Sequence, residues 1–504
     1  MKRPSRFLVA ILSLNQISFL YSADATSLSV LPKVAPQEVG LDAAKLARID
    51  LLVNEEINRG KLPGAVVLVL RHGKIGFCKA YGRRSIEPSE SPMTIDTVFD
   101  LASLTKPIAT ATSVMILLEQ GKLRLEDRMG QYFPPFSQNG KDKVTIEHLL
   151  LHTSGLLADN PLADYLEGEK KALERIHQLP LVADPGKKFI YSDVGFILLG
   201  KLVEQISGET LDVFAGKNIF QPLGLRETGF NPAADFARRC APTEKREGRW
   251  LQGEVHDPRA HLLGGVAGHA GLFSTAGDLA LYAQMILNQG SLGEKRILSP
   301  ATARLMITPR LVPGGRRALG WDVRTTFSSN RGELFGEDSF GHTGFTGTSI
   351  WLDPASGTGV IFLSNRVHPD GKGDVKRLRG RVATLVAGSI VTPPFPDATK
   401  TPFLKPDEKS SPRVLCGIDV LKQDGFRQLK NRKIGLVTNH TGVDREGQTT
   451  IDLLHQTKGV NLVALFSPEH GIRGQVDRLV ADSKDEKTGL PIYSLYGQRQ
   501  RPAA

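Results

Sequence analysis

The sequence predicts an α+β fold for most of the chain: an antiparallel sheet built from both ends of one module, with a helical region inserted between them, then a smaller, truncated α/β Rossmann-like module. Three observations predict this. Strand-like runs gather at the two ends of residues 36–391, helical runs fill the middle, and a proline-rich stretch separates a different pattern beyond. A chain of 504 residues also exceeds what one hydrophobic core ordinarily supports.

Residues 1–25 come first. Lys2, Arg3 and Arg6 precede an uncharged apolar run from Phe7 to Leu20, and Ala23-Asp24-Ala25 follows. A basic start, an apolar stretch and an A-x-A site describe a cleaved export signal. The run of about 14 residues falls short of the ~20 that span a bilayer, and no cysteine follows it for lipid attachment. The expectation is an exported protein, periplasmic or secreted, with no integral span after cleavage. The net charge of +11 drops to about +9 without those residues. Such a surface suits anionic polymers, cell-wall glycans or membrane surfaces among them, or is simply a solvated basic face. Nothing points to nucleic acid. Cys78, Cys240 and Cys416 are odd in number and widely spaced, which gives no disulfide framework, no C-x-x-C and no zinc spacing. Each is expected to be a small buried residue.

Along the module, "GAVVLVL", "RHG" and "KIGFCKAYG" read as a hairpin. "SFGHTG", "GTSIWLDP" and "TGVIFLSN" read as three late antiparallel strands. Helices are expected over Ile108–Gln120, stopped by Gly121, and Val194–Ile206, stopped by Gly208. Residues 392–412, "TPPFPDATKTPFLKPDEKSSP", hold six prolines among charges and read as an extended linker. In residues 413–504, "KIGLVTNHTG", "QTTIDLLHQ" and "NLVALFSPEHG" give a βαβ-like pattern, whose ligand site falls at the strand C-terminal ends.

The chemistry starts at Ser103-Leu104-Thr105-Lys106, the one S-x-x-K in the chain. At a helix start both side chains share a face. A lysine lowered in pKa by burial can take the proton of a neighbouring serine, and the helix N-terminus offers N–H groups to an oxyanion. Alternatively, Ser103 merely caps the helix and Lys106 reaches water. Two more stretches decide it. Tyr191-Ser192-Asp193 precedes a helix, and His342-Thr343-Gly344 lies on a late strand. There is no G-x-S-x-G, H-E-x-x-H or P-loop.

This order of S-x-x-K, a Y-x-N-like and a K-T-G-like motif resembles the serine β-lactamase and penicillin-binding protein superfamily, most of all its class C β-lactamase and esterase branch. "LLLHTSGL", "PGKKFIYSDVGFILLG" and "GGVAGHAGLFSTAGDLA" are similar to stretches of that family, and the resemblance covers nearly all of residues 40–390. It implies Ser103 as nucleophile and Lys106 as its base. Tyr191 would shuttle protons, its pKa lowered by Lys106. The N–H groups of Ser103 and Phe345 would form the oxyanion hole, and Thr343 and Gly344 would line the substrate edge. Two positions depart from the family. Asp193 stands where asparagine is frequent and can accept but not donate hydrogen bonds, so it would orient Lys106 rather than hold a substrate carbonyl. His342 replaces the lysine that anchors a substrate carboxylate, a weaker anchor. Both changes argue against efficient β-lactam hydrolysis and towards esterase, amidase or peptidase chemistry. His152 reads as structural, and His269 stands open between a structural and a site role.

"VLCGIDVL", "GLVTNHTGVD", "LFSPEHGIRG" and "DSKDEKTGLPIYSLYG" resemble the N-terminal half of the exo-β-N-acetylmuramidase (NamZ) family. That resemblance puts Glu469 and His470 at a site, with Asn439 and His440 on the preceding loop. Glycoside hydrolysis commonly needs two carboxylates, and only Glu469 is nominated. With a domain cut short at Ala504, the expectation is no release of N-acetylmuramic acid and early proteolysis of residues 414–504. The combined reading is a serine hydrolase acting on an amide or ester of peptidoglycan fragments, with no cofactor and no metal. A β-lactamase or carboxylesterase, and a sensor that acylates without turnover, are the alternatives.

Overall fold

The computed structural model describes residues 30–391, 416–467, 472 and 482–495. The stretches expected to be an export signal and a linker, with Glu469 and His470, lie outside the described residues. The chain divides into two units, Met1–Pro393 and Pro394–Ala504.

A nine-stranded sheet runs through the first unit. Its strands are β1 (Gly64–Arg71), β2 (Lys74–Ser85), β3 (Ser91–Pro92), β4 (Arg310–Val312), β5 (Gly315–Ala318), β6 (Trp321–Arg324), β7 (Phe340–Thr343), β8 (Ser349–Asp353) and β9 (Thr358–Ser364). The order is β4-β5-β6-β7-β8-β9-β1-β2-β3, antiparallel throughout. Early and late segments join where β1 pairs β9, with Val67 opposite Phe362. The β1–β2 turn places both His72 (φ 50°) and Gly73 (φ 78°) in the left-handed region, the backbone that a two-residue hairpin of the right twist demands.

β1 is apolar without alternation because both of its faces are buried. Val66, Leu68 and Leu70 join the core shared with the inserted helices. Ala65, Val67 and Val69 join a second core, against α1 (Ala43–Asn58) and the late helix α5 (Lys376–Ser389). Each of these valines and leucines contributes about 1.5–3 kcal/mol by leaving water, so the sheet is anchored from two sides. On the insert side lie α2 (Thr112–Glu119), α3 (Asp193–Ser207) and α4 (Ala276–Leu287). α3 starts where Ser192 Oγ accepts the Gly195 N–H at 3.1 Å and stops at left-handed Gly208.

The single helix expected over Ile108–Gln120 is two pieces, and a separate short turn precedes them. A 3-10 turn covers Ala102–Leu104, a wider π-type turn covers Lys106–Ala111, and α2 begins only at Thr112. Pro107 has no N–H to give to an α ladder, and its carbonyl takes the Thr112 hydroxyl at 2.9 Å.

In the second unit, β10 (Lys433–Val437), β11 (Asn461–Ser467), β12 (Ser483–Lys484) and β13 (Pro491–Ser494) order as β10-β11-β13-β12. β10, β11 and β13 are parallel, and β12 runs antiparallel to β13. α6 (Gly417–Gln423) precedes them and α7 (Thr450–Gln456) crosses between β10 and β11, the βαβ unit that the sequence predicts. Its core is small, centred on Phe426, Ile451, Leu454, Leu465 and Ile492.

The expectation of three buried cysteines fails. Only Cys240 is fully buried; Cys78 is half-buried and Cys416 exposed. Cys416 precedes α6 as its cap, where its thiol turns to Asp419 at 2.7 Å instead of to a core. Among the described residues, no helix is long and apolar enough to cross a membrane.

Candidate active site

Ser103 sits in the 3-10 turn after a short strand, Phe99–Asp100. Ala102 is forced to φ 47°, an uncommon conformation for a residue with a Cβ. The surroundings hold it there. The buried Asp100 carboxylate accepts the Ala102 N–H at 2.8 Å and the His256 N–H at 2.7 Å. Thr346 and Thr348 donate their hydroxyls to the carbonyls of Asp100 (2.7 Å) and Leu101 (3.0 Å). Ser103 lies inside the 3-10 turn, whose cap position is Leu101, and its Oγ accepts from Lys106 Nζ, so the helix-cap reading is not what the structure shows.

Lys106 is fully buried one turn on. Its Nζ donates to Ser103 Oγ at 2.9 Å and to the His269 carbonyl at 3.2 Å. Asp193 Oδ1, otherwise without a hydrogen-bond partner, lies 2.6 Å from Nζ. The ammonium stands 4.8 Å from the Tyr191 ring centre. Burial alone would push this lysine down, but Asp193 and Tyr191 outweigh it and hold Lys106 above the ordinary lysine range. The sequence-based expectation of a lowered lysine is therefore reversed. Its physical cause is the carboxylate at Asp193, which orients and charges Lys106 from the start of α3.

Tyr191 is half-buried, its ring between His152 (centroids 4.5 Å apart) and Phe327 (4.8 Å). Burial raises its phenol above the ordinary tyrosine value, and Lys106 offsets that only in part, so the expected lowering is reversed as well. His152 Nδ1 accepts the Ser192 N–H at 2.9 Å, which fixes the ring that backs Tyr191. His342, buried on β7, turns Nδ1 to the Thr343 carbonyl at 2.9 Å. Burial, then Arg317 and Lys106, keep it far below the usual histidine range, hence neutral. A cation anchor at His342 is absent at any pH near 7.

Gly344 must lack a side chain: a Cβ there would meet Thr348 Oγ1 at 2.1 Å and the Leu101 carbonyl at 2.3 Å. This close approach brings the end of β7 against the nucleophile turn. Phe345 is 61% exposed, with its ring between Arg366 (4.5 Å) and His256 (5.6 Å), and its carbonyl accepts Arg366 Nε–H at 2.9 Å. Among the described residues its own N–H has no acceptor, as an oxyanion donor requires. Ser103, Tyr191, Thr343, Gly344 and Phe345 line one cavity of 410 Å³, together with Phe327, Arg366, Lys376 and Arg379. A larger groove of 810 Å³ involves Arg48, Leu51 and Arg381 but no nucleophile–base pair, so the smaller cleft is the chemical one.

His269 resolves to the site. Its carbonyl holds Lys106, and its Nε2 meets Asp257 Oδ1 at 2.9 Å. Asp193, Asp257 and His269 present ligand-type atoms within 4.8 Å of one another, a grouping of metal-ligand type; the positive charge packed against it is the Lys106 ammonium. Asp257, Asp100 and Arg366 were not legible as site residues, since no motif marks them. Asn439 Oδ1 in the second unit caps its own loop, accepting Thr441 N–H at 3.1 Å.

A serine hydroxyl held by a buried lysine beside a tyrosine, at the end of a strand of an antiparallel sheet, defines a class of serine hydrolase working through an acyl-enzyme. Comparison with known proteins gives the group. Residues 49–384 match the family model for Beta-lactamase, and the chain belongs to that family. Residues 434–504 match the model for Exo-beta-N-acetylmuramidase NamZ, N-terminal. A protein of Escherichia coli (strain K12) described as "Putative D-alanyl-D-alanine carboxypeptidase" is 33% identical over 394 residues, 71% of this chain and 90% of the relative. An N-acetylmuramyl-L-alanine amidase of Bacillus subtilis (strain 168) is 34% identical over 377 residues, 67% of this chain and 85% of the relative. Among solved structures, EstCE1, "a hydrolase with promiscuous acyltransferase activity", superposes with a TM-score of 0.57 at 27% identity, over 68% of this chain and 99% of that one. The octameric penicillin-binding protein homologue from Pyrococcus abyssi, 24% identical with a TM-score of 0.54 over 67% of this chain and 76% of that one, shares the fold.

Proposed function

We propose that this protein is an exported serine hydrolase that cleaves an amide or ester bond of peptidoglycan fragments through an acyl-enzyme on Ser103, fused to a muramidase-like module and acting in cell-wall turnover or recycling. The observation that carries the reading is the Ser103–Lys106–Tyr191 constellation, with Ser103 and Tyr191 lining one 410 Å³ cleft and Lys106 buried behind them. Ser103 attacks the carbonyl carbon, the Phe345 N–H is placed to receive charge on the oxygen, and Tyr191, kept protonated by burial, faces the leaving group. Arg366, Lys376 and Arg379 on the other wall suit an anionic substrate. The names of the relatives, a carboxypeptidase and a muramyl-alanine amidase, support a peptidoglycan amide. Fusion to a NamZ-like segment supports the same polymer. The export signal at residues 1–25 supports action outside the cytoplasm. Mass spectrometry of products from purified muropeptides tests this. Loss of a peptide or of D-alanine that depends on Ser103 is the expected result. Turnover of simple esters with every muropeptide untouched points to a carboxylesterase, and a stable acyl-Ser103 without product points to a sensor.

A further inference from the structure

We infer that Asp193, which the resemblance assigns to orientation and substrate contact, is the terminal proton acceptor of acylation, with Lys106 the relay between it and Ser103. The inference rests on Ser103 being the nucleophile but not on which bond or polymer is cut. The starting point is a conflict inside the site. A general base needs a lone pair, and an ammonium nitrogen has none. Lys106 is buried, charged and in contact with Ser103 Oγ at 2.9 Å, so it cannot take the serine proton as it stands. It must first give one up.

The geometry names the recipient. Asp193 Oδ1 forms an ion pair with Nζ at 2.6 Å and has no hydrogen-bond partner. Every other group facing Lys106 is committed or unsuitable. His269 offers only its carbonyl, while its imidazole faces Asp257. Asp257 Oδ1 accepts from Ala260 N–H at 2.8 Å as well. Asp159, on the same wall, faces Arg259 at 3.6 Å. Tyr191 holds its proton through burial and makes the natural donor to a leaving group. His152 and His342 are neutral and back Tyr191 rather than Lys106.

The proton count closes. One Nζ–H passes to Asp193 Oδ1, the neutral amine takes the Ser103 Oγ–H, and Oγ forms its bond to the substrate carbonyl carbon as the π pair moves onto oxygen. Lys106 ends as an ammonium again, Asp193 as a carboxylic acid, and the oxyanion carries the negative charge that Asp193 lost. When that pair returns, the bond to the leaving nitrogen or oxygen breaks and Tyr191 supplies its proton. The proton on Asp193 then travels back through Lys106 to Tyr191. Protonating Asp193 also relieves a wall where its carboxylate and that of Asp257 approach within 4.8 Å.

The test is the rate at which a fluorophosphonate labels Ser103, followed from pH 5 to 10 in the full chain, with Ser103→Ala as the blank. That rate reads acylation alone, so failure of the peptidoglycan reading would leave it untouched. In Asp193→Asn the relay has no acceptor and burial draws Lys106 down, so labelling follows the uncharged fraction of Lys106 and gains a titration that the wild type lacks. Labelling at pH 6 should fall ~100-fold, the usual cost of losing a general base, and the gap to wild type should close as pH rises. Asp193→Glu should recover most of the rate at pH 6, which separates a missing acceptor from a disturbed fold. If Asp193→Asn labels as fast as wild type at pH 6, or is slower by one constant factor at every pH, Asp193 is not the acceptor and the inference falls.

Discussion

The main sheets of the two units differ in what covers them. In the first unit both faces of β1 are sealed, by the inserted helices on one side and by α1 and α5 on the other. In the second, the parallel strands leave Val437 52% and Val463 38% exposed, although parallel sheets ordinarily have both faces covered. The difference shows where precision is available. Holding reactive groups such as Ser103 and Lys106 to within about 0.5 Å requires neighbours that cannot move, and the doubly buried sheet supplies them.

Five substitutions probe this difference, in falling order of their expected effect. Ser103→Ala should abolish fluorophosphonate or penicillin labelling while leaving the melting curve in place; a label that persists on another serine would move the site elsewhere. Lys106→Met should slow acylation ~100-fold or more at neutral pH, and an unchanged rate in stopped-flow labelling would remove Lys106 from the machinery. Gly344→Ala should cost at least tenfold in labelling, and about 1–3 kcal/mol in stability from overpacking, because its Cβ has nowhere to go. An active, fully stable variant would mean that this junction is looser than its distances. Next, Val67→Thr buries a hydroxyl with no partner and should destabilise by about 1–3 kcal/mol in a denaturant titration. Smallest is Val437→Thr, on the uncovered strand, which should shift stability by less than about 0.5 kcal/mol. Equal costs for the two valines would erase the contrast between the sheets.

How much of this was legible beforehand follows from the range of each interaction. The hairpin and the three late strands are local patterns of apolar runs and turn residues, and they stand where the sequence places them. The strands β4–β6 were not read, because "RLVPGGRRALGWDVR" looks polar. Arg317 in fact lies fully buried, paired with Asp322 at 3.3 Å. Ser103 and Lys106 were legible through their spacing, yet the charge state of Lys106 was not. It depends on Asp193, which folding brings within 2.6 Å from 87 residues away. The split of the helix expected over Ile108–Gln120 into a π turn and α2 depends on one proline and tertiary contacts, which periodicity does not carry. Asp257 and His269 became site residues only once the chain had folded their loop under Lys106.

The two threonine hydroxyls on the carbonyls of Asp100 and Leu101 have one more consequence. They weld the strip bearing the oxyanion donor to the strip bearing the nucleophile, without recourse to the walls of the cleft. Phe327 and Val375, by contrast, stand on separate segments that take no part in that weld. A lineage could therefore redraw the outline of the cleft, and with it the diet of the enzyme, while the spacing at its reactive centre stays as cast.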